Sequence, residues 1–166
     1  MNPRLLYLIR HEDAESEGLH TPDPHRALTS KGRIRLRKTA EMLKSHVDHL
    51  HLVYTSPLVR AVQTAEILAG AFHFDGPIWA RAAIAEPSLE RILQLVDDTV
   101  ASFRSIALIG HEPMLSDLAA HLLELPEYPR PFKKGSVLAL DYQDRTQAAR
   151  FRWLILAQGP EFLNRL

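Results

Sequence analysis

Two short apolar runs each end on a histidine: LYLIRH over residues 6–11 and IALIGH over residues 106–111. Neither run alternates with polar residues. Each therefore reads as a strand buried on both faces, the pattern of a parallel sheet covered by helices on either side. In open sheets of that kind ligands bind beyond the carboxyl ends of the strands. Both histidines are accordingly expected at one rim of the sheet.

The rest of the chain alternates in the manner such a sheet requires. Residues 12–28 are polar and proline-bearing and read as a loop. Thr29 and Ser30 supply an N-cap for a helix to about residue 47, with Leu36, Ala40, Leu43 and Val47 on one face. A second strand is expected over residues 50–54. Ser56 suits an N-cap and Pro57 a first helical position, opening a helix whose stripe is Leu58, Ala61, Val62, Ala65, Leu68, Ala69 and Phe72. A short strand near residues 78–80 precedes a helix over about 88–101, with Leu89, Ile92, Leu93, Val96 and Val100 inward. Pro113 begins a helix carrying Met114, Leu115, Leu118, Ala119 and Leu122. Residues 137–142 and 151–156 close the chain as a hairpin through 143–149. Trp79 and Trp153 are assigned to the core. The expected architecture is α/β: a single-domain three-layer sandwich, its central sheet mostly parallel with helices on both faces and made mixed by the closing hairpin.

Composition narrows the chemistry. The 166 residues carry 20 Lys+Arg and 20 Asp+Glu, so the formal net charge is zero, and a nucleic-acid partner is disfavoured. There is no cysteine, which removes disulfide scaffolds, thiolate metal sites and cysteine nucleophiles. The apolar run near the N-terminus is too short for a signal core or a membrane span, and the expected location is cytoplasmic, with no membrane partner.

Arg60 follows the Ser56-Pro57 helix start, and helix N-termini favour anions. Arg10, His11, Arg60 and His111 are thus expected to converge as a cationic pocket in a neutral protein. Two guanidinium forks match phosphate oxygens and stay charged. A neutral imidazole can attack phosphorus and form a covalent intermediate that water later hydrolyses. A strand-end histidine can also be a structural hydrogen-bonding residue, so the spacing alone does not choose between these roles.

The motifs L-Y-L-I-R-H at 6–11, S-P-L-V-R-A-V-Q-T-A at 56–65, L-I-G-H at 108–111 and L-T-S-K-G-R at 28–33 resemble the histidine phosphatase superfamily in order, spacing and context. The chain length and the segment G-H-E-P-M-L-S-D-L-A at 110–119 are most similar to the SixA branch, whose members dephosphorylate phosphohistidine on signalling proteins. The resemblance implies a phosphoglycerate mutase-like fold, with residues 1–166 as one histidine phosphatase domain. It implies His11 as the phosphorylated nucleophile, Arg10 and Arg60 as the phosphate clamp, and His111 as a second imidazole on a phosphate oxygen, with no metal and no organic cofactor. For the general acid it points to Glu86, with Asp13 as runner-up. One position departs from the pattern: Glu12 stands where the superfamily usually has glycine, and a carboxylate facing the phosphate would repel it. Glu12 is therefore expected to point away.

Three functions are compatible with this reading. The leading one is dephosphorylation of phosphohistidine on a histidine-phosphotransfer domain or phosphocarrier in signal transduction. The others are a small-molecule phosphomonoesterase or phosphomutase acting on a phosphorylated metabolite, and a non-catalytic phosphate-recognition module with Glu12 as the lesion. Two other groupings are set aside. His46, His49 and His51 span a helix end and a strand start and need not face one point. Asp117 and His121 fit a surface pair four residues apart. Lys133-Lys134-Gly135 is expected in a loop that can border the pocket and steer anionic partners.

Overall fold

A computed structural model describes residues 4–86, 88–157 and 161–166. Its strands are β1 (Leu5–Arg10), β2 (Leu52–Thr55), β3 (Ile78–Ala80), β4 (Ser105–Gly110), β5 (Val137–Asp141), β6 (Arg150–Leu156) and β7 (Glu161–Leu163). Its helices are α1 (Ser30–Leu43), α2 (Val59–Phe72), α3 (Leu89–Val100) and α4 (Met114–Leu122). All strands join one sheet in the order β3-β2-β4-β1-β5-β6-β7. The half from β3 to β1 is parallel and the half from β1 to β7 is antiparallel.

The unbroken apolar runs serve both faces of this sheet by simple alternation. Leu6 and Leu8 of β1, with Ile106 and Leu108 of β4, enter one core together with α3 and α4 residues such as Ile92, Val96, Leu115 and Leu118. Tyr7 and Ile9, with Ala107 and Ile109, enter the other with Leu36 and Ala40 of α1 and Ala61 and Leu68 of α2. Three layers result, as the pattern of strands and helices implied.

Several boundaries differ from expectation for identifiable reasons. Helix α1 ends at Leu43 rather than 47, because Ser45 and His46 donate to carbonyls three residues back and tighten the last turn. Val47 still reaches the core. Helix α2 begins at Val59, with Leu58 at its N-cap. Ser56 N–H is still held by Ile109 of β4, and Ser56 Oγ accepts from Leu58 N–H as a turn, so Pro57 precedes the helix instead of opening it. Strand β7, pairing with β6, follows the expected hairpin, and short 3₁₀ turns form at Asp23–His25 and Ala82–Ile84. Trp153 is buried as expected. Trp79 is only half-buried, with the Arg81 guanidinium 5.1 Å from its ring centroid.

Candidate active site

Strand register brings the two histidines together. Arg10 pairs with Gly110 across the parallel β1–β4 ladder, so the next residue of each strand, His11 and His111, lies side by side at the carboxyl rim. His11 N–H still donates to Gly110 O, and the two imidazole centroids are 4.9 Å apart. β2 ends beside β4, and Arg60, the second residue of α2, turns back over the same rim. Its Nε donates to His11 Nε2 at 3.3 Å.

That contact fixes the state of His11. Its Nδ1 lies 2.6 Å from the carbonyl of Glu12. A carbonyl only accepts, so Nδ1 carries the proton and Nε2 presents a lone pair to the pocket. The ring is held well below its ordinary pKa, at about 4, first by burial, with the Glu12 carbonyl opposing and the charges of Arg60, Arg10 and Lys134 adding to the depression. His111 is lowered to about 3, by burial and then by its neighbours His11 and Arg60. Both imidazoles are therefore neutral at pH 7. Both ring nitrogens of His111, and Arg10 Nε, are buried without a hydrogen-bond partner among the described residues. Arg10 itself is anchored by Nη1 donating to Phe132 O at 2.6 Å.

Asp23, a residue the sequence reading passed over, positions Arg60. Arg60 Nη1 donates to its carbonyl at 2.8 Å and Nη2 to its carboxylate at 3.2 Å, which leaves Nε for His11. Burial raises the Asp23 pKa, but hydrogen bonds from Arg26 and Arg60 outweigh it and hold the carboxylate low. The only local signal was a carboxylate between Pro22 and Pro24 in a polar loop, and such loops are common.

Glu12 turns away from the pocket that His11 and His111 face. Its fully buried carboxylate accepts from Arg35 of α1 at 2.9 Å and from Asp13 N–H at 2.6 Å. Asp13 also serves the scaffold: it binds Lys134 Nζ at 2.5 Å and Thr29 Oγ1 at 3.2 Å. The Lys134 hydrogen bond holds its pKa low, which disfavours the protonated form a general acid needs. Glu86 shares an open cavity of about 450 Å³ with Arg60, His111 and Asp23, walled by Leu58, Ile84 and Leu89, and its carboxylate is paired with Arg91. Asp117 reaches that cavity as well and, among the described residues, forms no ion pair with His121.

Two of the three histidines set aside face different partners. His46 stacks on Phe162, with centroids 4.2 Å apart, and His51 Nδ1 lies 2.7 Å from Ser105 Oγ. Among the described residues no group of three or more His, Cys, Asp or Glu side chains is arranged to hold a metal ion. Among the same residues no helix is long and apolar enough to cross a membrane.

The sheet order and its covering helices define an α/β protein of the phosphoglycerate mutase-like fold. Residues 6–90 match the histidine phosphatase superfamily (branch 1), and an uncharacterized protein of Picosynechococcus sp. is 32% identical over 161 residues, covering 95% of this chain and 98% of the relative. The chain belongs to the histidine phosphatase superfamily, a phosphatase class. Among solved structures it resembles the protein histidine phosphatase SixA complexed with tungstate: TM-score 0.82, 23% identity, 93% of this chain and 98% of that one. It also resembles a mycobacterial glucosyl-3-phosphoglycerate phosphatase, with TM-score 0.67, 20% identity, and 97% and 98% of the two chains covered.

Proposed function

We propose that this protein is a phosphatase that acts through a phosphohistidine on His11 and removes phosphate from phosphohistidine on a partner protein. One observation carries the chemistry: the unprotonated Nε2 of His11 faces the pocket, beside Arg60 Nε at 3.3 Å, while Nδ1 is locked on the Glu12 carbonyl. In the first step Nε2 attacks phosphorus and the bond to the substrate's imidazole nitrogen breaks. That nitrogen keeps the bonding electron pair, and the substrate ring leaves as neutral imidazole because its other nitrogen already carries a proton. Water then attacks the phosphohistidine of His11, and inorganic phosphate and neutral His11 are released. Arg10, Arg60 and His111 bind the equatorial oxygens and stabilise their charge in both steps.

Phosphohistidine suits this site because transfer between two imidazoles is close to isoenergetic and places little demand on an acid. Glu86 remains the candidate acid for poorer leaving groups, and Asp13 the weaker one. The SixA structure, solved with tungstate, supports the reading, since tungstate is a tetrahedral oxyanion. The pairing of Glu12 with Arg35 removes the feature that motivated a non-catalytic module.

The apolar walls of the cavity beside His111 favour a second reading, a small-molecule phosphomonoesterase, and the likeness to a glucosyl-3-phosphoglycerate phosphatase points the same way. A substrate panel in EDTA separates the two. Turnover of a histidine-phosphorylated phosphotransfer domain is expected to exceed that of sugar phosphates in kcat/KM. His11→Ala should lose acid-labile labelling and about four orders of magnitude in rate, and Glu86→Gln should leave phosphohistidine turnover within about threefold. Faster hydrolysis of sugar phosphates, abolished in Glu86→Gln, would establish the second reading instead.

A further inference from the structure

Strand β5 is antiparallel to β1, so it begins where β1 ends and delivers the preceding loop to the catalytic rim. Gly135 N–H donates to the carbonyls of Arg10 and His11, and Lys133 and Lys134 stand beside Arg10. Helix α1 approaches from the other side. Together they enclose an open hollow of about 480 Å³ lined by Arg10, Asp13, Lys31, Arg35, Lys133 and Lys134. Every lining residue is charged, and five of the six are cations.

The two nearby carboxylates are already committed, Asp13 to Lys134 and Glu12 to Arg35. Lys31 and Lys133 are exposed and form no ion pair among the described residues. Lys31 is also at odds with helix stability. It is the second residue of α1, whose first turn holds no acidic residue, whereas the positive end of a helix dipole favours acids there. A metabolite site is mostly apolar, with a few polar groups that fix orientation, whereas no apolar residue lines this hollow and most of its surface is polar. A wall dominated by charge suits the encounter of two protein surfaces, where it raises association rate and sets orientation.

We infer that Lys31 and Lys133, with the cations between them, form a docking site for acidic side chains flanking the phosphohistidine of a protein substrate. This rests on the phosphohistidine reading and adds the partner's surface chemistry to it: negative on the side that meets β5 and α1.

The test compares two substrates on one enzyme: a histidine-phosphorylated phosphotransfer domain with acidic residues around the modified histidine, and free phosphohistidine. In the full chain, Lys31→Glu/Lys133→Glu should lower kcat/KM on the protein by about tenfold or more at low salt, and the gap should narrow near 0.5 M NaCl, roughly the screening expected for exposed charges. Turnover of free phosphohistidine should not change, the thermal midpoint should not fall, since an acid in the first turn of α1 suits the helix dipole, and Lys31→Arg/Lys133→Arg should behave as wild type. Equal losses on both substrates would assign the lysines to the phosphate pocket, and an undiminished rate on the protein would remove the docking site; either overturns this inference alone. A wild-type enzyme that hydrolyses free phosphohistidine but not the protein would overturn both it and the protein-substrate reading.

Discussion

At the residue scale the most informative position is Glu12. Family pattern puts glycine there, and a carboxylate beside a phosphate site looks like damage. Its side chain instead passes beneath the catalytic loop to Arg35 and Asp13 N–H, while its carbonyl accepts from His11 Nδ1. One residue thus ties helix α1 to the tautomer of His11. The accommodation depends on Gly135, where an added Cβ would lie 2.7 Å from Glu12 Oε1 at a φ of +74°. Only the Glu12 side of this ion pair is fully buried, and removing Arg35 strands that carboxylate, which costs far more than the pair contributes. Arg35→Ala should therefore destabilise the protein by about 3 kcal/mol in urea unfolding, and Glu12→Gly in that background should recover most of the loss. A double variant no more stable than Arg35→Ala would show that Glu12 is not strained by isolation.

At the element scale, the start of helix α1 is built against the catalytic loop. Thr29 caps it by accepting from Gly32 N–H at 2.9 Å, and Thr29 N–H donates to Asp13 O. Gly32 is what allows the approach: a Cβ there would lie 2.4 Å from Asp13 O. Within a helix, Gly→Ala ordinarily stabilises by up to about 1 kcal/mol. Here the rigid backbone contact should reverse the sign. Gly32→Ala is expected to lower stability by about 2 kcal/mol and to raise KM for phosphorylated substrate by displacing residues 11–13. A thermal midpoint at or above that of wild type would show that the loop yields without cost.

For the molecule as a whole, the site is held at a measurable cost in pH tolerance. His11 and His111 bind protons less readily folded, at about 4 and 3, than the ordinary histidine near 6.5. The unfolded chain therefore takes up more protons, and stability falls as pH drops from about 6.5 toward these folded values. The loss between pH 7 and pH 5 should be roughly 4 kcal/mol, about 2 kcal/mol from each ring, measured by urea unfolding, and His11→Asn/His111→Asn should flatten it. A wild-type stability independent of pH across that window would mean that the rings are not held neutral by burial. Asp13 and Asp23, whose pKa values are lowered, add a further loss at still lower pH, as their carboxylates protonate.

What the amino-acid order determined by itself was whatever short-range periodicity encodes. The unbroken apolar strands, the helical stripes and the Thr29 cap emerged with nearly correct bounds, because alternation and i, i+4 spacing are local properties. The parallel half of the sheet and the gathering of His11 and His111 at one rim followed from two strands ending in the same way, while the antiparallel half from β1 to β7 is larger than the closing hairpin implied. Tertiary structure alone decided the rest. Whether Glu12 faces the phosphate depends on Arg35, 23 residues away, and Asp23 became a partner of Arg60 only when a polar loop folded across α2. The position of Lys133 beside Lys31 depends on β5 running antiparallel to β1. Side-chain direction and charge proximity are set by register and packing between distant segments, and no local pattern records them.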